Sequence, residues 1–137
     1  MGSGKTTFVE RMRSNQMGYN VFDLDERIAH SLGISPLSLG EWITKVGLDV
    51  FRQKELEVLS ELFLNSSPMI VALGGGTVEA PGFWELKKEA KLVFLATSFE
   101  TCFARIKEDH NRPQVKLGEP GLLSLYQKRL PLYQKSD

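Results

Sequence analysis

The sequence predicts an α/β protein with a parallel sheet. Short apolar runs alternate with stretches of helical periodicity. Two of the runs also end in groups that carry chemistry, acids in one and three glycines in the other, as strands do at the carboxyl edge of an open sheet. At 137 residues one domain is expected over residues 1–137, burying about two thirds of the surface its unfolded chain exposes.

The chain opens on Met1-Gly-Ser-Gly-Lys-Thr-Thr7. Gly4, Lys5 and Thr6 fill the last three places of the phosphate-binding pattern GxxxxGK[ST], preceded by Gly2 and Ser3. The leading glycine of the pattern would fall before Met1. Glycines let successive backbone N–H groups turn in around phosphate oxygens, and the following helix adds its positive N-terminal end. Lys5 would then reach the β- and γ-phosphates, and the Thr6 hydroxyl would hold Mg²⁺. A chance run in a flexible tail is the plain alternative. Against it, Phe8, Val9 and Met12 recur at helical spacing, so the loop runs into an amphipathic helix.

The next elements follow from the same periodicities. Residues 20–25, NVFDLD, begin as a short strand and end in acids. Apolar residues at 48, 51, 56, 59, 62 and 63 predict a helix over 48–64, broken by Ser66-Ser67-Pro68. Residues 69–76, MIVALGGG, read as a buried strand stopped by glycines. Pro81 suits the first turn of a short helix through Lys88, and residues 91–98, KLVFLATS, give a third strand. Thr97 and Glu100 have capping-box spacing for a helix holding Cys102 and Arg105. Residues 109–121 lack periodicity and read as a mobile loop. A last helix over 121–130 is expected to end at Pro131.

Composition excludes several functions. Lys plus Arg and Asp plus Glu each number 17, so no net basic field attracts nucleic acid. The single cysteine, Cys102, permits neither an internal disulfide nor a Cys-rich zinc site and fits a reducing cytoplasm. No apolar run approaches the roughly 20 residues of a membrane span. His30 and His110 have no partners at metal-ligand spacing and read as surface residues. Trp42 and Trp84 read as packing residues.

An ordered set of motifs resembles the shikimate kinases. It comprises GSGKT (2–6), the Asp-x-Asp of FDLDE (Asp23 and Asp25), FRQKE (51–55), GGG (74–76), Arg112-Pro113 and RLPLY (129–133). Each motif is weak alone; six in the family's order, across nearly all of the chain, are specific. The resemblance implies a three-layer P-loop kinase fold with a parallel sheet, incomplete at both ends. Residues 1–7 would be a partial P-loop, about 27–63 the substrate-binding subdomain that Trp42 helps line, and about 109–121 the lid. It also implies ATP- and Mg²⁺-dependent phosphorylation of shikimate at its 3-hydroxyl, in aromatic amino acid synthesis, by a cytoplasmic monomer with no nucleic-acid or membrane partner.

Roles then fall on residues. Gly2, Ser3, Gly4, Lys5, Thr6 and Thr7 would bind ATP, with Arg105 packing on adenine and Arg112 of the lid meeting the transferring phosphoryl group. Thr6 and Asp23, a short acid, suit Mg²⁺ held through water. Asp25 would meet the acceptor's hydroxyls as base or as positioner, with positioning favoured. Arg52 and Arg129 would grip the acceptor's carboxylate, a task for planar bidentate donors. Glu55, three residues on from Arg52, would orient it. Alone, such a pair is more often solvated. Gly74, Gly75 and Gly76 would let backbone approach the substrate, or mark a plain tight turn. Leu73 departs from the small or hydroxylated residue of many relatives, which leaves the hydrogen bonding there open.

Two alternatives remain. One is another small-molecule kinase of the same fold, for gluconate or a nucleoside monophosphate, which would lack the combined FRxxE, GGG and RxPxY set. The other is a non-catalytic relative, against which the retained Lys5, Thr6, Asp23 and Asp25 speak. Because the family has a strand before its loop and a strand and helix at its C-terminal end, Met1 is expected to be internal to a longer protein and the chain to be cut at Asp137. The sheet would keep about three strands, with a gap beside residues 91–98.

Overall fold

The computed structural model describes residues 2–15, 18–109 and 113–137. Helix α1 (Lys5–Ser14) starts directly from the glycine loop, with Gly4 as its N-cap at φ 90°, a left-handed conformation that glycine adopts without strain. Strand β1 (Asn20–Asp23) passes into α2 (Leu24–Leu32) with no loop between. Asp23 is the reason. Its Oδ1 accepts from the backbone N–H of Asp25 at 2.9 Å and of Glu26 at 3.3 Å, so the residue that ends the strand also caps the helix. Leu24, Ile28 and Ala29 of α2 are buried, and Gly33 closes the helix at φ 68°.

A 3-10 turn (Pro36–Ser38) leads to α3 (Leu39–Val46), which holds half-buried Trp42, and Gly47 separates it from α4 (Leu48–Phe63). The buried stripe of α4 is Phe51, Arg52, Glu55, Val58, Leu59 and Leu62, at the spacing of one helix face. Arg52 and Glu55 therefore point inward with the core and are not a solvated pair. Strand β2 (Met69–Ala72) pairs in parallel with β1, from Asn20 beside Met69 to Asp23 beside Ala72. Both strands thus deliver their chemistry at one edge: Asp23 and Asp25 from β1, and Gly74 to Gly76 from β2.

Beyond β2 come a 3-10 turn (Thr77–Glu79), α5 (Phe83–Leu86), a 3-10 turn (Lys87–Glu89), α6 (Phe99–Ile106), a 3-10 turn (Pro113–Leu117) and α7 (Gly118–Tyr133). The core gathers Leu24, Ile28, Phe51, Leu59, Leu62 and Phe83 with their neighbours. Cys102 is buried on α6, His30 is exposed on α2, and His110 lies outside the described residues. Trp84 donates its Nε1–H to the Val78 carbonyl at 3.1 Å.

Several boundaries differ from the sequence reading. Among the described residues the sheet has two strands, because residues 91–98 join no ladder. A cavity of about 410 Å³ separates them from β2, with Ile70, Val71 and Ala72 on one side and Val93, Phe94 and Leu95 on the other. A run with β composition becomes a strand only when a neighbour lies within hydrogen-bonding distance, about 4.8 Å. The cap of α6 is Ser98, which accepts from the Thr101 N–H at 3.3 Å, not Thr97. Pro81 precedes Gly82, the N-cap of α5, and so lies outside the helix. The presumed loop contains a 3-10 turn, and α7 starts at Gly118 with Pro120 in its first turn, where a missing N–H is harmless. Pro131 does not end α7. It sits near the C-terminus, where few bonds remain to be lost, and Gln134 N–H still reaches the Leu130 carbonyl at 3.0 Å. Continuing past Pro131 puts Tyr133 one turn beyond Arg129 on the same face.

Candidate active site

The glycine loop is fixed by backbone contacts. Gly2 has φ 65°, and a Cβ there would lie 2.5 Å from the Cys102 carbonyl oxygen, so no side chain fits. Arg105 of α6 donates to the Gly2 carbonyl at 2.7 Å, and the Thr97 hydroxyl donates to the Ser3 carbonyl at 3.2 Å. Lys5 donates its Nζ to the carbonyl of Leu73, just beyond β2. The first turn of α1 contains no acid and no side-chain cap, which leaves its N–H groups and positive end for an anion. A cavity of about 390 Å³ opens beside it, lined by Ser3, Gly4, Thr7, Phe8, Arg11 and Arg105 with Leu95. Arg11 was not singled out by the sequence. Thr6 is exposed, and Arg112 lies outside the described residues.

At the other end of the cleft, charged side chains are buried together. Arg52 is 6% exposed, Arg129 4%, and Glu55 and Thr77 0%. Arg52 Nη1 meets Glu55 Oε2 at 2.5 Å, while the Thr77 hydroxyl donates to Glu55 Oε1 at 2.6 Å. Burial pushes the Glu55 carboxyl up, against the opposing pull of Arg52 and the Thr77 hydroxyl. A Cβ on Gly74 would lie 3.1 Å from Glu55 Oε1 and 3.6 Å from Asp25 Oδ1; a Cβ on Gly76 would lie 1.8 Å from Arg52 Nη2 and 2.8 Å from Arg129 Nη2. Two guanidinium groups thus converge over the Cα of Gly76, and any side chain there would displace them. Tyr133 donates its hydroxyl to the Gly75 carbonyl at 2.5 Å.

Glu79 joins this cluster. Its Oε2 accepts from Arg129 Nε at 3.0 Å, is ion-paired with Arg129 Nη2 at 2.9 Å and lies 3.8 Å from Arg52 Nη2. Burial pushes its carboxyl up, but the Arg129 hydrogen bonds and charge outweigh this and hold it below the ordinary range. Sequence reasoning missed Glu79 and Thr77, and it gave Tyr133 no role. The residues TVE after the glycines have no periodicity, and Glu79 meets Arg129 across 50 positions of chain, so only the fold joins them.

Asp23 and Thr6 can be tested as metal ligands by donor chemistry alone. Both backbone N–H groups that Asp23 caps fall on Oδ1, so Oδ2 stands outside the cap. One carboxylate oxygen and one hydroxyl suit a hard cation that keeps most of its waters. Among the described residues no group of three or more His, Cys, Asp or Glu could hold a metal by itself. No helix among them is long and apolar enough to cross a membrane.

A helix-rich fold with a small parallel sheet, a glycine loop at a helix N-terminus and two buried arginines across the cleft define a small-molecule kinase. Comparison narrows this. The family model described as "Shikimate kinase" matches residues 1–137. The shikimate kinase of Thermodesulfovibrio yellowstonii is 34% identical over 140 residues, spanning 100% of this chain and 78% of that protein. That of Persephonella marina is 30% identical over 138 residues, spanning 100% of this chain and 81% of its own length. The structure of the shikimate kinase from Acinetobacter baumannii in complex with shikimate superposes with a TM-score of 0.83 at 32% identity, over 98% of this chain and 74% of that one. The enzyme from Aquifex aeolicus gives 0.78 at 28% identity, over 100% and 79%. The chain belongs to the shikimate kinase family, which uses ATP as co-substrate.

Proposed function

We propose that this chain transfers the γ-phosphoryl group of ATP to the 3-hydroxyl of shikimate with Mg²⁺ present. The observation that carries the reading is the convergence of Arg52 and Arg129 over Gly76, with Asp25 beside Gly74. Two buried cations aimed at one point suit a small acidic acceptor, because planar guanidinium groups hold a carboxylate with paired hydrogen bonds. The shikimate-bound structure of the Acinetobacter baumannii relative supports the same acceptor.

Each side chain then has a task. The N–H groups of residues 2–7 and the Lys5 ammonium hold the phosphates and meet charge that grows as the phosphoryl group moves. For that, Lys5 must leave the Leu73 carbonyl or share its protons with it. Thr6 and Asp23 would hold Mg²⁺, which offsets phosphate charge when bound. Asp25 orients the acceptor hydroxyl and can take its proton. Glu55 fixes the angle of Arg52, while the backbone of Gly74 to Gly76 approaches the ring. Arg105 lies at the nucleotide cavity, Arg112 belongs to a lid over residues 109–121, and residues 27–63 form the acceptor subdomain. A cytoplasmic monomer acting without nucleic acid is part of this reading, supported by balanced charge and a single cysteine. ATP-coupled assays over shikimate, gluconate and nucleoside monophosphates test it. Shikimate should be turned over fastest; faster turnover of another acceptor overturns the assignment.

A further inference from the structure

Glu79 occupies the point that an acidic acceptor needs. Its Oε2 takes a hydrogen bond from Arg129 Nε at 3.0 Å, is ion-paired with Arg129 Nη2 at 2.9 Å and faces Arg52 Nη2 at 3.8 Å. The charges of the cluster are already balanced: Glu55 serves Arg52 and Glu79 serves Arg129. A second carboxylate brought to the same guanidinium groups would meet Glu79 across a site shielded from water, where like charges repel strongly. Both anions cannot share the seat.

The other oxygen of Glu79 points to where the residue can go. Glu79 Oε1 is buried without a hydrogen-bond partner, a costly state for a carboxylate oxygen. It is ion-paired with Lys128 Nζ at 3.6 Å, on a side chain that is 74% exposed. The Glu79 side chain is itself 18% exposed, so a rotation toward Lys128 leads to solvent and not into the core.

Resting on the acceptor-site reading above, we propose that Glu79 is an internal surrogate for the acceptor's carboxylate, seated between Arg52 and Arg129 in the empty site and expelled toward Lys128 when an acidic acceptor binds. Two consequences follow for specificity. The arginines are never left unpaired, so the empty site carries no uncompensated buried charge. An acceptor lacking a carboxylate also meets a smaller penalty, because Glu79 can stay in place and keep Arg129 satisfied. Glu79 therefore weakens the preference for acids that two bare arginines would impose.

The test measures binding of shikimate and of its methyl ester by calorimetry, with the shikimate KM alongside. Glu79→Gln keeps an oxygen for Arg129 but removes the competing charge. It should lower the dissociation constant and KM for shikimate about ten-fold while leaving the ester nearly unchanged, so the acid-to-ester preference rises by the same factor. Were Glu79 only a brace that orients Arg129, the same change would raise both values for shikimate, and that result overturns the proposal. An unchanged acid-to-ester ratio overturns it equally. Lys128→Ala, at an exposed position with little bearing on folding, provides the second arm. Loss of the receiving cation should weaken shikimate binding about two- to three-fold; tighter binding contradicts expulsion toward Lys128. Should the wild-type protein prefer another acceptor in turnover, the shikimate assignment falls, and the acid-to-ester ratio still decides the role of Glu79. If neither form binds shikimate, both readings fall.

Discussion

The two ends of the cleft are built by opposite means. The end proposed for the nucleotide is made from backbone: two positive-φ glycines, the uncapped first turn of α1, and carbonyls of Gly2, Ser3 and Leu73 tied by Arg105, Thr97 and Lys5. Its side chains at Thr6, Thr7 and Arg105 are exposed. The end proposed for the acceptor is made from side chains, with Arg52, Glu55, Thr77 and Arg129 all buried. Phosphates are recognised well by N–H groups whose positions the fold sets anyway. A small carboxylic acid requires cations carried into the protein interior, and these need resident anions. The acceptor end therefore bears on both folding and specificity, while the nucleotide end bears mainly on turnover.

Breaking the buried pair should sharpen that contrast most. Glu55→Ala leaves buried Arg52 with only the more distant Glu79 carboxylate, 3.8 Å away, and the buried Thr77 hydroxyl without its acceptor. We expect a loss of about 3–5 kcal/mol in stability by denaturant titration. Under conditions where the variant is folded, nucleotide affinity should be nearly normal; parallel loss of nucleotide binding would show that the two ends are not separable. Next in size, Lys5→Ala should lower kcat about 100- to 1000-fold with a much smaller change in the shikimate KM. Near-normal kcat would contradict the phosphate-loop reading of residues 1–7.

The smallest effect concerns pH. Glu79 is held below its ordinary value of 4.5, so its ionised form is favoured by folding. The stability it contributes is present above its unfolded value and is lost as pH falls through the lower folded one. The thermal midpoint of the wild type should thus fall below about pH 4.5 by more than that of Glu79→Gln. Equal acid limbs for the two proteins would contradict the Arg129–Glu79 pairing.

Much of this was legible in the sequence where a pattern is local. GSGKTT opening a helix, the apolar stripe of α4 and the i,i+3 spacing of Arg52 and Glu55 each lie within or at the start of a single element. Boundaries were harder, because they depend on groups that act over a residue or two. Asp23 both ends β1 and caps α2, and Ser98 rather than Thr97 caps α6. Pro131 has the residue type of a helix stop, yet near a helix end it removes little, and the continuation brings Tyr133 to Gly75. Residues 91–98 have the composition of a strand, but composition cannot supply a neighbour. Glu79 was illegible for a related reason. Its partners, Arg52 and Arg129, lie on two different helices, and only packing of α4 and α7 around the glycine turn brings the three together.

The central claim is that the acceptor end holds a carboxylate between Arg52 and Arg129, and Arg129→Ala tests it most directly. The substitution removes one cation from the seat and leaves Glu79 with only its longer contacts, to Arg52 at 3.8 Å and Lys128 at 3.6 Å. At saturating ATP we expect the KM for shikimate to rise about 100-fold, with kcat falling far less. A KM within two-fold of wild type, or a loss confined to kcat, would contradict the claim.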